Sequence, residues 1–189
     1  MKQAKVLTER ELKKVMQYID VVSRYKERDK AMLMLTHLCL LRVGEVANLK
    51  VSDVVDAEGN INDVIFLTAE QTKGNDSRRV FVSNKAKAVI KRYIASNTSV
   101  LQRPYLFFTQ KSQRFNVSAL TQHLNRIYKQ ANIVGATTHS GRRSGITALS
   151  ESGVSVRVIA QLANHKHLQT TMRYIDCTDD MMSKAIELL

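Results

Sequence analysis

The most constraining feature of this sequence is a segment of mostly apolar side chains that runs from Met32 to Leu41. The spacing predicts a helix that begins near Asp29 and continues through this segment, apolar on nearly every side. A helix without a polar face must be enclosed by the rest of the chain. With 189 residues, of which 44% are hydrophobic, the chain can build such an enclosure within one domain.

Amphipathic helices are predicted for most of the remaining chain. The first has a well-marked start, because Thr8 can cap it, Glu11 stands three residues later, and Leu7 faces Leu12 as a hydrophobic staple. We predict further helices from Lys85 to Ser96, from Ser118 as a cap, from near Thr138 to before Gly153, from Val156 to Leu162 after the cap Ser155, and from the cap Thr178 to the end.

Between the early and late helices the hydrophobic period changes to an alternating one. We predict three strands, Val51 to Val55, Asn62 to Leu67 and Arg79 to Val82, joined by polar turns into a small antiparallel sheet. The chain has one proline, seven glycines, no flexible linker and no internal repeat. The expected fold class is α+β, mainly α-helical with a small three-stranded antiparallel sheet, and the expected organisation is one domain over residues 1–189.

The charge balance points to a polyanionic partner. Lysine and arginine number 29 against 17 acidic residues, which gives a formal net charge of +12. Double-stranded DNA is the first candidate and a membrane surface the second. The sequence contains neither an apolar run of transmembrane length nor a signal pattern at its amino terminus, so we expect a soluble, cytoplasmic protein without a membrane partner.

The two cysteines favour a reduced compartment over a disulfide framework. Cys39 lies inside the apolar segment and Cys177 near the end of the chain. A metal site made of His165, His167 and Cys177 fits no common zinc spacing, and two surface histidines are the simpler interpretation. We therefore expect neither a metal nor another cofactor.

Two stretches near the carboxy terminus gather residue types that a core does not need. His139 and Arg142 stand three apart, so on a helix they share one face and could both touch one small anion. His165 and Tyr174 stand nine apart, so a turn must lie between them if they cooperate. Each of these residues alone has an ordinary structural interpretation, as a core side chain or a surface side chain.

Two upstream positions add to this set. Arg42 directly follows the apolar segment, where a guanidinium must either reach water or meet an anion, and Glu45 stands one helical turn later. An ordinary Arg42–Glu45 surface pair is an equal alternative. Lys73 stands in the turn between the second and third predicted strands, where a lysine is usually a solvated charge.

Taken together, these motifs resemble the tyrosine recombinases, the phage integrase family. The matching segments are Leu40-Leu-Arg-Val-Gly-Glu-Val46, Thr72-Lys-Gly-Asn-Asp-Ser-Arg-Arg-Val80, His139-Ser-Gly-Arg142, Leu162-Ala-Asn-His165 and Tyr174. They occur in the family's order, and the resemblance extends from about Leu7 to the end of the chain. It implies the DNA breaking-rejoining fold and a site-specific recombinase or integrase that needs neither a metal nor ATP.

The resemblance also implies a role for each residue. Tyr174 would attack the scissile phosphorus and form a covalent 3′-phosphotyrosine, and because a free tyrosine is almost wholly neutral at pH 7, it needs a proton acceptor, for which His139 is the candidate. Arg42 and Arg142 would hold the non-bridging oxygens. The remaining roles are a hydrogen bond from His165, a proton for the departing 5′ oxygen from Lys73, and a carboxylate from Glu45 that positions Arg42.

Further basic residues are expected to contact DNA. The polar face of the helix after Ser118 could rest on phosphates, although such a face is equally often only solvated. The expected contacts are Arg78, Arg79, Arg126, Lys129, Arg143 and Lys166. We further expect self-association on DNA, as a tetramer, through the carboxy-terminal helix from Asp179 to Leu189, since members of the family often dock that helix on a neighbour.

The sequence also departs from the family pattern. Typical members carry an additional amino-terminal core-binding domain, and we expect this sequence to lack it, either as a fragment of a longer integrase or as a naturally short form. We therefore expect weak and strongly salt-dependent DNA binding. Ser140-Gly141 is an unusual filling of its motif, and Ala163-Asn164 replaces the commoner Leu-Gly before the histidine. Two alternatives remain open: strand relaxation like that of type IB topoisomerases, and a non-catalytic DNA-binding regulator, against which the retention of all six catalytic residues argues.

Overall fold

The computed structural model of the protein describes residues 4–72, 76–175 and 179–187. Within these ranges the fold is mainly helical with a small antiparallel sheet. The helices are α1 (Glu9–Val22), α2 (Lys26–Leu38), α3 (Val43–Ala47), α4 (Val51–Val54), α5 (Asn84–Ser96), α6 (Val117–Gln130), α7 (Ser140–Glu151), α8 (Val156–Ala163), α9 (Leu168–Met172) and α10 (Asp179–Ile186), and the strands are β1 (Val64–Leu67) and β2 (Arg78–Phe81).

The apolar segment forms the centre of the domain, as predicted. Helix α2 packs against α1, α5 and α7, and its residues Met32, Leu33 and Leu35 are fully buried. The helix ends at Leu38, three residues earlier than predicted, because Leu40 adopts a left-handed backbone conformation with φ of 52°. The chain therefore turns just before Arg42, and the carbonyl of Leu40 accepts hydrogen bonds from arginine side chains.

The predicted three-stranded sheet is wrong in its first strand. The sheet in the described residues has two strands, β1 and β2, with Val64 opposite Phe81 and Leu67 opposite Arg78. Of the predicted first strand, Val55 forms only an isolated antiparallel bridge, with Ile61. Residues 51–54 form helix α4 instead. Val51 and Val54 stand three apart, which suits a helix as well as a strand, and Asp53 Oδ2 accepts a hydrogen bond at 2.9 Å from the Lys50 backbone N–H, closing the first turn.

The predicted N-caps are confirmed at α1 and α8 and wrong at α6. Thr8 and Glu11 form the capping box of α1, and Ser155 Oγ accepts from the Val158 N–H at the start of α8. At α6 the cap is Asn116, whose Oδ1 accepts from the Ser118 N–H at 2.8 Å, so the prediction of Ser118 as cap is wrong by two residues. The predicted cap Thr178 lies outside the described residues.

Helix α7 crosses α2 at a distance that only glycine permits. A Cβ added to Gly141 would lie 2.1 Å from Thr36 Oγ1, and one added to Gly145 would lie 2.3 Å from the His37 carbonyl oxygen. His37 also approaches the Gly141 carbonyl through its Nδ1, at 3.2 Å. This crossing places Arg142, on α7, beside the end of α2.

Candidate active site

Arg42 lies at the start of α3 with its side chain 28% exposed. Its backbone N–H donates to Glu45 Oε2 at 2.7 Å, and its Nη1 donates to Glu45 Oε1 at 3.1 Å. Its Nη2 donates to the Asn164 carbonyl at 3.1 Å. Glu45 is buried and accepts hydrogen bonds from both the backbone and the guanidinium of Arg42. This is the positioning role that the resemblance implies.

Arg142 lies in the first turn of α7 and is buried. Its guanidinium donates to the carbonyls of Leu40 and Ala163. Burial, together with the neighbouring cations Arg42 and Arg78 and against the opposing effect of Glu45, lowers its pKa to about 9. Arg142 therefore remains charged at neutral pH although it lies inside the protein.

Arg78, on β2, is buried beside the same carboxylate. Its side chain is only 4% exposed, its Nη2 donates to Glu45 Oε2 at 2.8 Å, and its Nη1 donates to the Leu162 carbonyl at 3.0 Å. Burial lowers its pKa, and Glu45 opposes that shift. Arg78 is one of the expected DNA contacts, and in this structure its guanidinium is committed to interior partners.

The three arginines are organised by one helix end. The carbonyls of Leu162, Ala163 and Asn164, at the carboxy terminus of α8, each accept a hydrogen bond from a different guanidinium. A helix carboxy terminus carries unpaired carbonyls and a partial negative charge, which suits cations. Asn164 adopts a left-handed conformation with φ of 50°, which asparagine tolerates better than most side chains, so it can stand where the family commonly has glycine.

The cluster carries three guanidinium groups against the single carboxylate of Glu45. In the contacts above, Arg42 and Arg142 each donate two of the five N–H groups that a guanidinium offers. Donors and positive charge therefore remain for an anion. Paired guanidinium donors match the oxygen geometry of a phosphate.

His165 and Tyr174 are brought together by the turn predicted between them, which joins α8 to α9. Their rings stack with centroids 5.7 Å apart and an interplanar angle of 19°. Burial lowers the pKa of His165 to about 4, and the nearby cations Arg142, Arg42 and Arg78 contribute in the same direction. His165 is therefore neutral at neutral pH.

A buried threonine that the sequence reading missed restrains His165. Thr171 Oγ1 lies 2.9 Å from His165 Nδ1, and Thr171 is fully buried. If this hydroxyl donates to Nδ1, the proton of the neutral ring sits on Nε2, which is then free to donate to a substrate oxygen. The sequence signal was available, because Thr171 stands between His165 and Tyr174 in the same motif.

Tyr174 is half-buried directly after α9. Its backbone carbonyl accepts a hydrogen bond from Thr147 Oγ1 on α7 at 3.2 Å, and its side chain packs against a small apolar cluster that includes Ile146 and Ile159. The guanidinium carbon of Arg143 lies 5.5 Å from the ring centroid. The ring is thus held by contacts from α7 and from the α8–α9 turn.

Two predicted catalytic residues remain, His139 and Lys73, and the structure describes only the first. His139 lies at the start of α7, one turn before Arg142, and its side chain is exposed. Lys73 lies outside the described residues. Of its flanking segment, Thr72 Oγ1 donates to the Asp76 carbonyl at 2.8 Å, and the Asp76 carboxylate pairs with Lys166 at 2.6 Å, next to His165.

The remaining predicted DNA contacts divide into two groups. Arg79 is exposed and lines a cleft of about 640 Å³ together with Arg78 and His165. Arg126 and Lys129 are exposed on α6 and line other clefts, and Arg126 approaches the Nδ1 of His123 at 3.2 Å. The structure therefore brings Arg79 close to the cluster but does not bring Arg126 and Lys129 into that cleft.

The described residues offer neither a membrane-spanning helix nor a cluster of metal ligands. Among the described helices, each is too short or too polar to cross a bilayer. In the described ranges, no three histidine, cysteine or acidic side chains lie close enough together to hold a metal ion, and Cys177 falls outside those ranges.

Comparison with known proteins gives a consistent result. The phage integrase family model matches residues 5–181. Tyrosine recombinase XerA of Pyrococcus furiosus is 32% identical over 187 residues, which cover 97% of this chain and 61% of that protein. Tyrosine recombinase XerC of Caldanaerobacter subterraneus is 26% identical over 185 residues, which cover 95% of this chain and 49% of that protein. The chain thus spans between about half and three fifths of the length of these curated relatives.

Solved structures show the same fold. The crystal structure of XerA recombinase matches with a TM-score of 0.78 at 24% identity and covers all of this chain and 66% of that one. The Tn1549 transposon integrase in complex with a circular intermediate DNA matches with a TM-score of 0.78 at 16% identity and covers all of this chain and 67% of that one.

Proposed function

This chain belongs to the phage integrase family, and on that premise we propose that it cleaves and rejoins DNA strands as the catalytic part of a site-specific recombinase. The observation that carries the proposal is the cluster of Arg42, Arg78 and Arg142 around one carboxylate, immediately beside the stacked His165 and Tyr174. A buried excess of positive charge next to a tyrosine suits a phosphodiester and its attacking nucleophile.

In the proposed cleavage step, the Tyr174 hydroxyl oxygen attacks the scissile phosphorus and the bond from phosphorus to the 5′ oxygen breaks. The phenolic proton passes to His139, and Lys73 supplies a proton to the departing 5′ oxygen. Rejoining reverses these transfers, with a 5′ hydroxyl of a second strand as the nucleophile. Because the phosphotyrosine conserves the phosphodiester energy, no ATP is consumed.

Charge on the non-bridging oxygens is stabilised by the arginine cluster. Arg42 and Arg142 would each donate to one or both oxygens, and the neutral His165 would add a donor from Nε2. Removal of one such donor typically costs about 3 to 4 kcal/mol of transition-state stabilisation. Arg78 contributes through Glu45 rather than by touching DNA, since its guanidinium is buried.

Double-stranded DNA is the proposed substrate, and the relatives support this choice. XerA and XerC are tyrosine recombinases by name, and the Tn1549 integrase was solved in complex with DNA. The formal charge of +12 favours the same partner. A DNA-processing enzyme of this kind would act in the cytoplasm, where the target DNA of a mobile element or a chromosome is found.

Self-association on DNA is also proposed, with helix α10 as the contact. Two of its apolar side chains, Met182 and Ile186, are 53% and 63% exposed. Exposed apolar residues at helical spacing are suited to docking on a neighbouring protomer. A tetramer would bring two duplexes together for strand exchange, and sedimentation of the protein with and without target DNA would measure its size.

The test of the proposed function is a covalent protein–DNA adduct on a denaturing gel. The protein is mixed with nicked duplexes from its own genomic surroundings, which trap the cleaved intermediate. We expect an adduct with the unsubstituted protein, none with Tyr174→Phe, and an unchanged yield with Tyr18→Phe, a tyrosine whose hydroxyl donates to Gln130 away from the cluster.

Other outcomes separate the alternatives. Binding without an adduct would indicate a non-catalytic DNA-binding regulator. Relaxation of a supercoiled plasmid without any exchange between two duplexes would indicate a topoisomerase activity. Exchange of strands between two labelled duplexes would establish recombination.

A further inference from the structure

Arg143 follows the buried Arg142 but points to a different part of the molecule. It is half-buried, and its guanidinium carbon lies 5.5 Å from the centroid of the Tyr174 ring. A guanidinium at this distance over an aromatic ring is attracted by the negative face of the ring. Arg143 is also among the expected DNA contacts, and this geometry gives it a protein partner.

The other partner of Arg143 is the backbone of the amino-terminal segment. Its Nη1 donates to the Ala4 carbonyl at 2.9 Å. The same segment is fastened twice more, because the Lys5 N–H donates to the Gly135 carbonyl at 3.3 Å and the Leu7 N–H donates to Ser144 Oγ at 2.7 Å. Residues 4–7 are therefore attached to the first turns of α7 and to the loop that precedes it.

The position of Arg143 is not one that a surface cation would adopt by default. Its Nε is buried and has no hydrogen-bond partner among the described residues. A buried cationic N–H without an acceptor is unfavourable, so the side chain must be held there by its other contacts. Those contacts are the Ala4 carbonyl and the Tyr174 ring.

We propose that Arg143 is a positioning residue for Tyr174: its guanidinium, itself held by the Ala4 carbonyl, restrains the ring that also stacks on the His165 imidazole. The inference rests on the proposed function of Tyr174 as nucleophile. It couples the placement of residues 4–7 to the orientation of Tyr174. A displacement of that segment would release the guanidinium and loosen the ring before attack.

The test compares Arg143→Met, which removes the charge and the hydrogen bond, with Arg143→Lys, which keeps the charge. Arg103→Met is the matched control, because Arg103 lies 5.0 Å over the Phe108 ring, outside the site. For each variant, the melting temperature, the Kd for a nicked duplex, and the single-turnover rate of adduct formation at saturating DNA are measured. Hydrogen exchange of the amides of residues 4–7 is measured in parallel.

We expect Arg143→Met to slow adduct formation by about tenfold at saturating DNA, as the loss of one cation–π contact implies. Its Kd should stay within about twofold of the original, because the residue is not placed on phosphate. Arg143→Lys should recover part of the rate, and Arg103→Met should leave it unchanged. Amides 4–7 should exchange faster in Arg143→Met than in the control.

Several results would overturn the inference. An unchanged rate in Arg143→Met would do so, and so would a weakened Kd that accounts for the whole loss, which is the behaviour of a phosphate contact. If Arg143→Met does not fold, Arg143→Gln, which keeps a donor for Ala4, replaces it. If the unsubstituted protein forms no adduct, the proposed function fails separately, and unchanged exchange at residues 4–7 would then overturn the coupling itself.

Discussion

Glu45 carries one negative charge between two guanidinium groups. Because the carboxylate is buried, the folded protein would be strongly destabilised if it lost these partners. Its two carboxylate oxygens accept from Arg42 and Arg78 at 3.1 and 2.8 Å. The sequence supplied the Arg42–Glu45 pair, which stands one helical turn apart. It did not identify Arg78 as the second partner, although alternation along β2 places Arg78 on the same face as the buried Val80.

Replacement of Arg78 by methionine should destabilise the protein strongly, whereas the same change at Arg79 should not. Arg78→Met leaves a buried carboxylate with one partner fewer, which costs about 3 kcal/mol. Arg79 is exposed on the opposite face of the strand, so Arg79→Met should stay within about 0.5 kcal/mol of the original. Urea unfolding measures both, and equal losses would contradict the buried pairing.

His165 should make the stability of the protein sensitive to mild acid. Its pKa is about 4 in the folded protein, against an ordinary value of 6.5. The unfolded chain therefore binds a proton more readily, so the stabilising contribution of the neutral ring is complete above about pH 6.5 and is lost as pH falls toward 4.

The measurement is the difference in unfolding free energy between the original protein and His165→Gln from pH 4 to 8. The pH-dependent contribution of His37, whose pKa is also lowered by burial, cancels in this difference because His37 is present in both proteins. We expect the advantage of the original protein over the variant to shrink as pH falls through the window. Parallel curves across the window would rule out a buried neutral His165.

At the scale of elements, the α2–α7 crossing brings the reactive groups together. The left-handed Leu40 at the end of α2 presents its carbonyl to Arg142 on α7. This contact needs the two helices to approach closely, and glycines at positions 141 and 145 permit the approach. The unusual Gly141 of the motif is thereby explained by packing.

Alanine at position 145 should test this crossing. Its Cβ would lie 2.3 Å from the His37 carbonyl and 2.6 Å from Leu40 Cδ2, so α7 must move away, at a cost of about 2 kcal/mol or more. Gly44→Ala is the control, because its Cβ would only meet Val117 Cγ1 at 3.8 Å. Thermal unfolding should show a lower midpoint for Gly145→Ala alone, and a midpoint unchanged by Gly145→Ala would contradict the close crossing.

Local sequence signals predicted elements well where the deciding contacts are local. The α1 capping box involves only Thr8 and Glu11, so its prediction was confirmed. Residues 51–54 were wrongly predicted as a strand, because valines at 51, 54 and 55 fit both periods and the short segment leaves the pattern ambiguous. The hydrogen bond from the Lys50 backbone N–H to the Asp53 carboxylate favours the helix.

At the scale of the whole molecule, net charge should dominate affinity for DNA. With a formal charge of +12 and the exposed Arg79, Lys129 and Lys166, binding should release counterions. If six to ten phosphates are contacted, we expect affinity to fall by roughly 10³ to 10⁵ between 50 and 200 mM salt. Fluorescence anisotropy with a labelled duplex measures the slope, and a curve that hardly moves would contradict a phosphate-dominated interface.

The sequence by itself determined the chemistry that is available and the family to which the chain belongs. It did so because residue types and short spacings, such as those of Arg42 with Glu45 and His139 with Arg142, carry that information directly. Only the tertiary structure decided which cations are interior and what surrounds Tyr174. Arg78 reaches Glu45 and Leu162, which are 33 and 84 positions away in the chain. Burial and pairing at such separations arise from packing between distant elements, which no local pattern encodes.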